Sequence, residues 1–441
     1  MLSPHYPMTN EITLGARAGT VIRETIYPRM VQNFYLMARK PWLRYLGLGF
    51  DDAFGKGPEA MGSDDLRSRK VETMGVKNNK FKVIHNTYDF GGGVQAADER
   101  EALVNGGYEA IRSEASLRTL QGQFTITQQA MDALGEGNDD AFVNEVQQNT
   151  MGSRHKVQME MNRQLMGDGN GILCYIDGTT SSSTTVTVQS SLSQGGEKIA
   201  TRHLRKNDVL YVGTAAQFVA GSGYSTVTVS EVTGNTTFTI TAAASLTDEH
   251  LVVRQSVYSA SNSWYKELTG LNQMVATTGT IQTLNKASYG WFQSYVAAVG
   301  GTMAVSDITT MVNFCREFAT VPGDLILVGN QKQWSRYEGK LTTTKQIDYS
   351  RFDGKLAGGV EGLTFYSPDG QIPFFIDNDV TDGTIYCLDP NGYMLGYTKL
   401  LNYLDPIRSQ TALEWITAFY MTAEHAQLNA RSSGKLTGIT G

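Results

Sequence analysis

Histidine, cysteine, acidic residues and lysine are the side chains from which a reactive or metal-binding centre is built, and their spacing in this chain builds none of the usual ones. The six histidines, His5, His85, His155, His203, His250 and His425, are dispersed. No two stand at metal-ligand spacing and none accompanies a nucleophile elbow, so they are expected to be surface residues or hydrogen-bonded core residues. Gly55-Lys56-Gly57 lacks the hydroxyl residue and the upstream glycine of a phosphate loop and is expected to be an ordinary turn. Asp168-Gly169-Asn170-Gly171 has the opening of a calcium loop, but Ile172 stands where the third oxygen ligand is needed and no bidentate Glu follows in place. With Gly167 before it, the segment reads as the turn that ends a helix. Cys174, Cys315 and Cys387 are odd in number and far apart, the pattern of reduced core cysteines and not of a disulfide framework. Met151, Met159, Met161 and Met166 recur at helical spacing and are expected to serve packing or subunit contact. The expectation is a chain with no catalytic residues, no metal and no cofactor, which is not an enzyme.

The elements that hold these residues set the fold class. A chain of 441 residues exceeds the usual single-domain size and is expected to form two or three packing units. Its charged fraction is 18% and it carries 46 glycines, a profile that suits a β-rich, loop-rich structural protein. A net charge of -6 argues against a strong electrostatic grip on nucleic acid, although a container wall around packaged DNA stays compatible with it. The first 20 residues lack a basic region followed by an apolar run, and no stretch approaches the roughly 18 apolar residues of a membrane span, so assembly in a reducing cytoplasm without a membrane is expected.

Along the chain, residues 1–75 are interrupted by Pro4, Pro7, Pro28, Pro41 and Pro58 and read as an extended arm. Residues 76–118 read as a two-stranded ribbon, with Lys77, Lys80 and Lys82 on its first strand and Gly91, Gly92 and Gly93 at its tip. The charges Asp98, Glu99, Arg100 and Glu101 lead back. An isolated ribbon is marginal in water and is expected to lie on a neighbouring subunit. Residues 138–166 carry the clearest helix, with Val143, Val146, Thr150, Val157, Met161 and Leu165 on one face, Asn138 as N-cap and Gly167 as stop. At 1.5 Å per residue it is roughly 40 Å long, a candidate spine. Residues 176–262 alternate β-branched and polar residues in short runs and read as an inserted small β-barrel or sandwich, whose ends Ile176 and Asn262 are expected to lie close together. After 263 the pattern becomes α+β, with helices at 306–320 and 331–339, a buried strand at 324–328, and strands at 364–366, 373–376, 384–388, 393–397 and 412–423.

Several local motifs then gain meaning from their order. Leu120-Gln121-Gly122-Gln123-Phe124-Thr125-Ile126-Thr127 leads to the spine helix, which exits at Met166-Gly167-Asp168-Gly169-Asn170-Gly171. Glu267-Leu268-Thr269-Gly270-Leu271, the run Val321 to Val328, and Ile385-Tyr386-Cys387-Leu388-Asp389-Pro390 follow. In this order over residues 76–440 the sequence resembles the tailed-bacteriophage major capsid proteins of the Hong Kong 97 type fold. The resemblance implies an α+β subunit with an N-terminal arm (1–75), an E-loop (76–118), a peripheral domain with spine helix (119–175), a β-rich insertion (176–262), an axial domain with connecting segments (263–395) and closing peripheral strands (396–441). It implies self-assembly as hexamers and pentamers around double-stranded DNA, with scaffolding, portal and decoration proteins as partners, in a virion capsid assembled in the host bacterial cytoplasm. Some resembling shells join subunits by Lys-Asn isopeptide bonds, which would give Lys77, Lys80 and Lys82 a role; solvated strand-edge lysines that discourage wrong pairing are the plainer reading. Against the shell subunit stand an encapsulin-type compartment with a protein cargo, and a β-rich tail or adhesin protein suggested by 176–262 alone. The second leaves the long helix and the mixed domain unexplained.

Overall fold

The computed structural model describes residues 68–70, 80–86, 110–129, 139–189, 200–255, 266–343, 364–368, 370–409 and 413–440. Residues 1–67, Lys77, the ribbon tip with Gly91 to Gly93 and Asp98 to Glu101, and Asn262 lie outside the described residues. In chain order, β1 (Ser68–Lys70), β2 (Lys80–Asn86), β3 (Ala110–Ser116) and β4 (Arg118–Thr127) precede the 28-residue helix α1 (Asp139–Met166). Then come β5 (Ile172–Tyr175), β6 (Thr180–Thr187), β7 (Val209–Gly213), α2 (Ala215–Ala220), β8 (Ser225–Val232), β9 (Thr237–Leu246) and β10 (Leu251–Arg254). The third stretch holds α3 (Leu271–Met274), the small hairpin β11 (Thr280–Ile281) and β12 (Leu284–Asn285), β13 (Tyr295–Gly301), α4 (Val305–Phe318), β14 (Ile326–Gly329) and α5 (Gln331–Thr343). It closes with β15 (Thr364–Ser367), β16 (Gly370–Ile376), β17 (Ile385–Leu388), β18 (Tyr393–Tyr403), β19 (Ile407–Arg408), β20 (Glu414–Gln427) and β21 (Gly434–Ile439). The fold is α+β.

Among the described residues, three larger sheets organise these strands. The first is built on β20, which pairs antiparallel with β4, β18 and β19, while β1 adds in parallel to β18. In its first half β20 buries alternate residues, Trp415, Thr417, Phe419 and Met421, as a strand with one covered face does. From Thr422 to Gln427 every residue is buried, because here the strand runs between layers. Val157, Met161 and Leu165 of α1 pack into the same cluster as Phe419, Met421, Leu395 and Tyr393, so the predicted apolar face of the helix is its core face where side chains are described.

The second sheet, ordered β5-β10-β7-β8-β9-β6, curls until its ends meet. An Ile176–Val188 bridge, with Gln189 N–H donating to Tyr175 O at 2.8 Å and Asp177 N–H to Thr187 O at 2.9 Å, closes it into a barrel. Val227 and Val229 of β8 and Phe238 and Ile240 of β9 fill the interior, while the threonines between them face outward. The sheet starts at Ile172, before the expected boundary at 176, because β5 pairs with β10 from Tyr175 back to Ile172.

The third sheet, ordered β13-β21-β17-β14-β16-β15, is mixed, with β13/β21 and β14/β16 parallel. Its central strands are buried on both faces, and residue parity sends side chains into two cores. Ile326, Val328, Tyr386 and Leu388 face the spine-helix cluster; Leu327, Ile385 and Cys387 face Ile308, Met311, Val312 and Cys315 of α4. Each such aliphatic side chain contributes about 1.5–3 kcal/mol by leaving water. At the start of α4, Asp307 accepts from the Ala304 N–H at 2.8 Å and caps the helix. The strand β21 differs from its expected place: it pairs with β13 and β17 in the third sheet instead of closing the first, since Leu436 and Ile439 fill the α4 side of the core.

Candidate functional site

The ribbon is the element to which sequence assigned function, and its described part is the root. β2 and β3 pair antiparallel from Lys80 opposite Ser116 to Asn86 opposite Ala110. Alternation sorts the strand: Phe81, Val83 and His85 point inward and are buried, while Lys82 and Ile84 are exposed. The inward face packs on its own subunit, with Phe81, Val83, Ala115 and Leu117 in one cluster with Met394 and Ala426. The expectation that the ribbon rests on a neighbouring subunit therefore does not hold for its root. Phe81 sits on the bare backbone of Gly396, where an added Cβ would stand 2.6 Å from the ring Cζ. His85 is wedged beside Trp291 and Phe292, with Nε2 at 2.8 Å from Ser113 Oγ and Nδ1 at 3.2 Å from Leu428 O. Burial lowers its pKa, so the ring is a neutral fastener of the ribbon.

On the outer face Lys80 lies 3.6 Å from Glu114, which also accepts from Arg112 at 2.9 Å. Lys80 thus meets a carboxylate of its own ribbon, and Lys82 is exposed two positions on. Of the ribbon residues assigned to subunit contact in sequence, only these two lysines are described.

A second arrangement went unseen in sequence: a buried ionic network where the barrel meets the spine. Glu160 of α1 accepts from Arg163 Nε at 3.0 Å and from Arg254 of β10. Arg163 also donates to Glu267, and Arg254 reaches His203 O at 2.7 Å and lies 3.6 Å from Asp208. Asp379, in the loop after β16, accepts from Asn162 of α1 and stands 3.0 Å from Arg202 and 3.1 Å from His203 of the barrel. Burial alone would push the Glu160 carboxyl up, but the two guanidiniums hold it down at about 2. Burial lowers the His203 pKa against the pull of Asp379. The members come from residues far apart in the chain, so only the Glu160/Arg163 pair, three apart on one helix, left a readable signal.

Gly169 and Gly171 take left-handed backbone (φ 71 and 72), and Asp168 accepts from Asn272 of α3. His425 is fully buried with Nδ1 at 2.9 Å from Thr269 O, and burial drops its pKa to about 4. The three cysteines are free and buried.

No protein-family model and no curated protein matches the chain. Solved structures that are similar over most of its length include the cyanophage A-1(L) capsid asymmetric unit, at 12% identity and TM-score 0.44, covering 85% of this chain and 92% of that one. The capsid of a native GTA particle is 12% identical at TM-score 0.42, over 87% of this chain and 99% of that one. The holo-SrpI encapsulin complex from Synechococcus elongatus PCC 7942 is 8% identical at TM-score 0.40, over 87% and 90%. Among the described residues no helix is long and apolar enough to cross a membrane.

Proposed function

We propose that the chain is the major capsid protein of a tailed bacteriophage, a non-enzymatic subunit that assembles as hexamers and pentamers around double-stranded DNA. The observation that carries this reading is the order of parts in one chain. A paired ribbon is rooted on a long antiparallel sheet, a 28-residue helix backs that sheet, and a mixed α/β unit and a closed barrel follow. A root fastened by Phe81 and His85 holds the ribbon in a fixed direction, as an arm that reaches a neighbour needs. The arm 1–75 and the ribbon tip 87–109 supply the contacts between subunits, and exposed Lys82, with Asp98 to Glu101, selects partner and orientation more than it adds affinity. The ionic network fixes the barrel on the spine so that it projects at a constant angle.

Isolation of particles from the expressing cell tests the reading. Shells holding nuclease-protected double-stranded DNA support it; shells of uniform size holding a protein cargo would instead support an encapsulin-type compartment, the fold of one similar structure.

A further inference from the structure

Three elements bring a lysine, an asparagine and an aspartate together in the interior. Lys435 of β21 donates from Nζ to Asn272 Oδ1 at 2.8 Å and to the Asn272 backbone carbonyl at 2.9 Å. Tyr386 of β17, itself buried, places its hydroxyl 3.4 Å from the same Oδ1. The Asn272 Nδ2 donates to Asp168 at the spine exit. These contacts orient the amide: its oxygen faces the amine and a phenol, and its nitrogen faces a carboxyl group.

We propose that after folding Lys435 and Asn272 join through an isopeptide bond, Nζ to Cγ, with loss of ammonia. The uncharged Lys435 amine attacks Cγ of Asn272, and the Tyr386 hydroxyl faces the oxygen on which negative charge develops. Asp168 gives its proton to Nδ2, the Cγ–Nδ2 bond breaks, ammonia leaves, and the carboxylate takes the proton released by Nζ. One amide bond forms as another breaks, nothing is oxidised or reduced, and Asp168 ends as it began. Burial pushes the Lys435 pKa down and that of Asp168 up, which moves both groups towards the amine and carboxylic acid that the step uses. Nζ stands 2.8 Å from Oδ1, the atom bonded to Cγ, and a rotation about the Lys435 Cδ–Cε bond is the motion that would carry it from the Oδ1 lone pair towards the face of Cγ. A cavity of about 40 Å³ lined by Asp168, Asn170, Asn272 and Thr381 adjoins the site and has room for one molecule of ammonia. The bond ties β21 to α3 across 163 residues and encloses the third sheet in a covalent ring. The site lies away from the ribbon lysines and does not depend on the shell reading.

Peptide mapping of the denatured, trypsin-digested protein by mass spectrometry tests it. The isopeptide blocks cleavage at Lys435, so residues 267–286 and 432–441 should appear as one branched peptide lighter by one ammonia than its two parts. Asp168→Asn and Lys435→Arg, each checked for native circular dichroism, should abolish that peptide. Wild-type protein yielding 432–435 and 436–441 as separate peptides overturns the proposal. Ammonia loss confined to the 267–286 peptide, with Lys435 cleaved, also overturns it. A branched peptide that persists in folded Asp168→Asn removes Asp168 from the step.

Discussion

The barrel–spine junction and the α3–β21 interior both bury ionisable side chains, yet they treat them in opposite ways. At the junction every named acid faces a base: Glu160 has Arg163 and Arg254, Glu267 has Arg163, and Asp379 has Arg202 and His203. The charges are kept, and Glu160 is held down at about 2. In the interior most partners are amides and backbone groups. Lys286 donates to Met274 O at 2.6 Å and to Gln427 Oε1 at 3.0 Å, and burial pulls its pKa to about 7. Glu424 accepts from the Thr269 and His425 N–H groups and lies 3.5 Å from Arg118, yet burial lifts it to about 7. The lesson is that burial alone does not set ionisation; the number and charge of the partners do. A saturated network makes a rigid strut, and a sparse one leaves groups able to change protonation.

The largest effect should come from breaking the strut. Arg163→Met leaves Glu160 short of one partner and strands Glu267 in the interior, and should cost about 3–5 kcal/mol of stability in urea titration. A loss within the range of surface substitutions, about 0.5 kcal/mol, would mean that the network is not continuous.

The pH dependence sharpens the contrast, because the two glutamates should act with opposite sign. Glu160 is depressed from 4.5 to about 2, so its contribution is present above pH 4.5 and lost as pH falls through 2. Glu424 is raised from 4.5 to about 7, so the folded state holds a proton that the unfolded chain releases, and stability falls as pH rises from 4.5 through 7. Each swing is of the order of 3 kcal/mol. In stability profiles from pH 3 to 9, Glu424→Gln should flatten the decline toward neutrality, whereas Glu160→Gln should destabilise at pH 7 and leave that decline in place. Identical profiles for the two variants would erase the distinction.

Smaller effects belong to the ribbon root. Gly396→Ala drives a methyl against Phe81 and should cost about 1–3 kcal/mol, with faster amide exchange in β2 and β3 before the rest of the subunit. At the low end, Lys82→Glu should leave melting unchanged, within about 0.5 kcal/mol, yet reduce particle yield. Lower melting with normal yield would make the ribbon a hairpin of its own subunit.

Local signals explain what was legible in sequence. The spine helix announced itself through the spacing of Val157, Met161 and Leu165 and a glycine stop, and α4, α5, β14 and β17 through helical periodicity or short apolar runs. β13, with Ala297, Ala298, Gly300 and Gly301, has little strand character and forms because β21 lies beside it. β21 likewise carries too few apolar residues to declare its sheet. The barrel's first strand hid in the helix exit, since its partner strand, Leu251 to Arg254, lies far on in the chain, a pairing that no local pattern encodes. The junction network and the Lys435 site were silent for the same reason: their members meet only in the folded chain.

Electron microscopy of the purified protein at assembly concentration tests the central claim most directly. The account predicts closed or polymorphic shells built from hexamers and pentamers, with loss of shells but retention of folded subunits when Gly91 to Gly93 are deleted. Wild-type protein that stays monomeric at every concentration, or normal shells from the deletion variant, would contradict it.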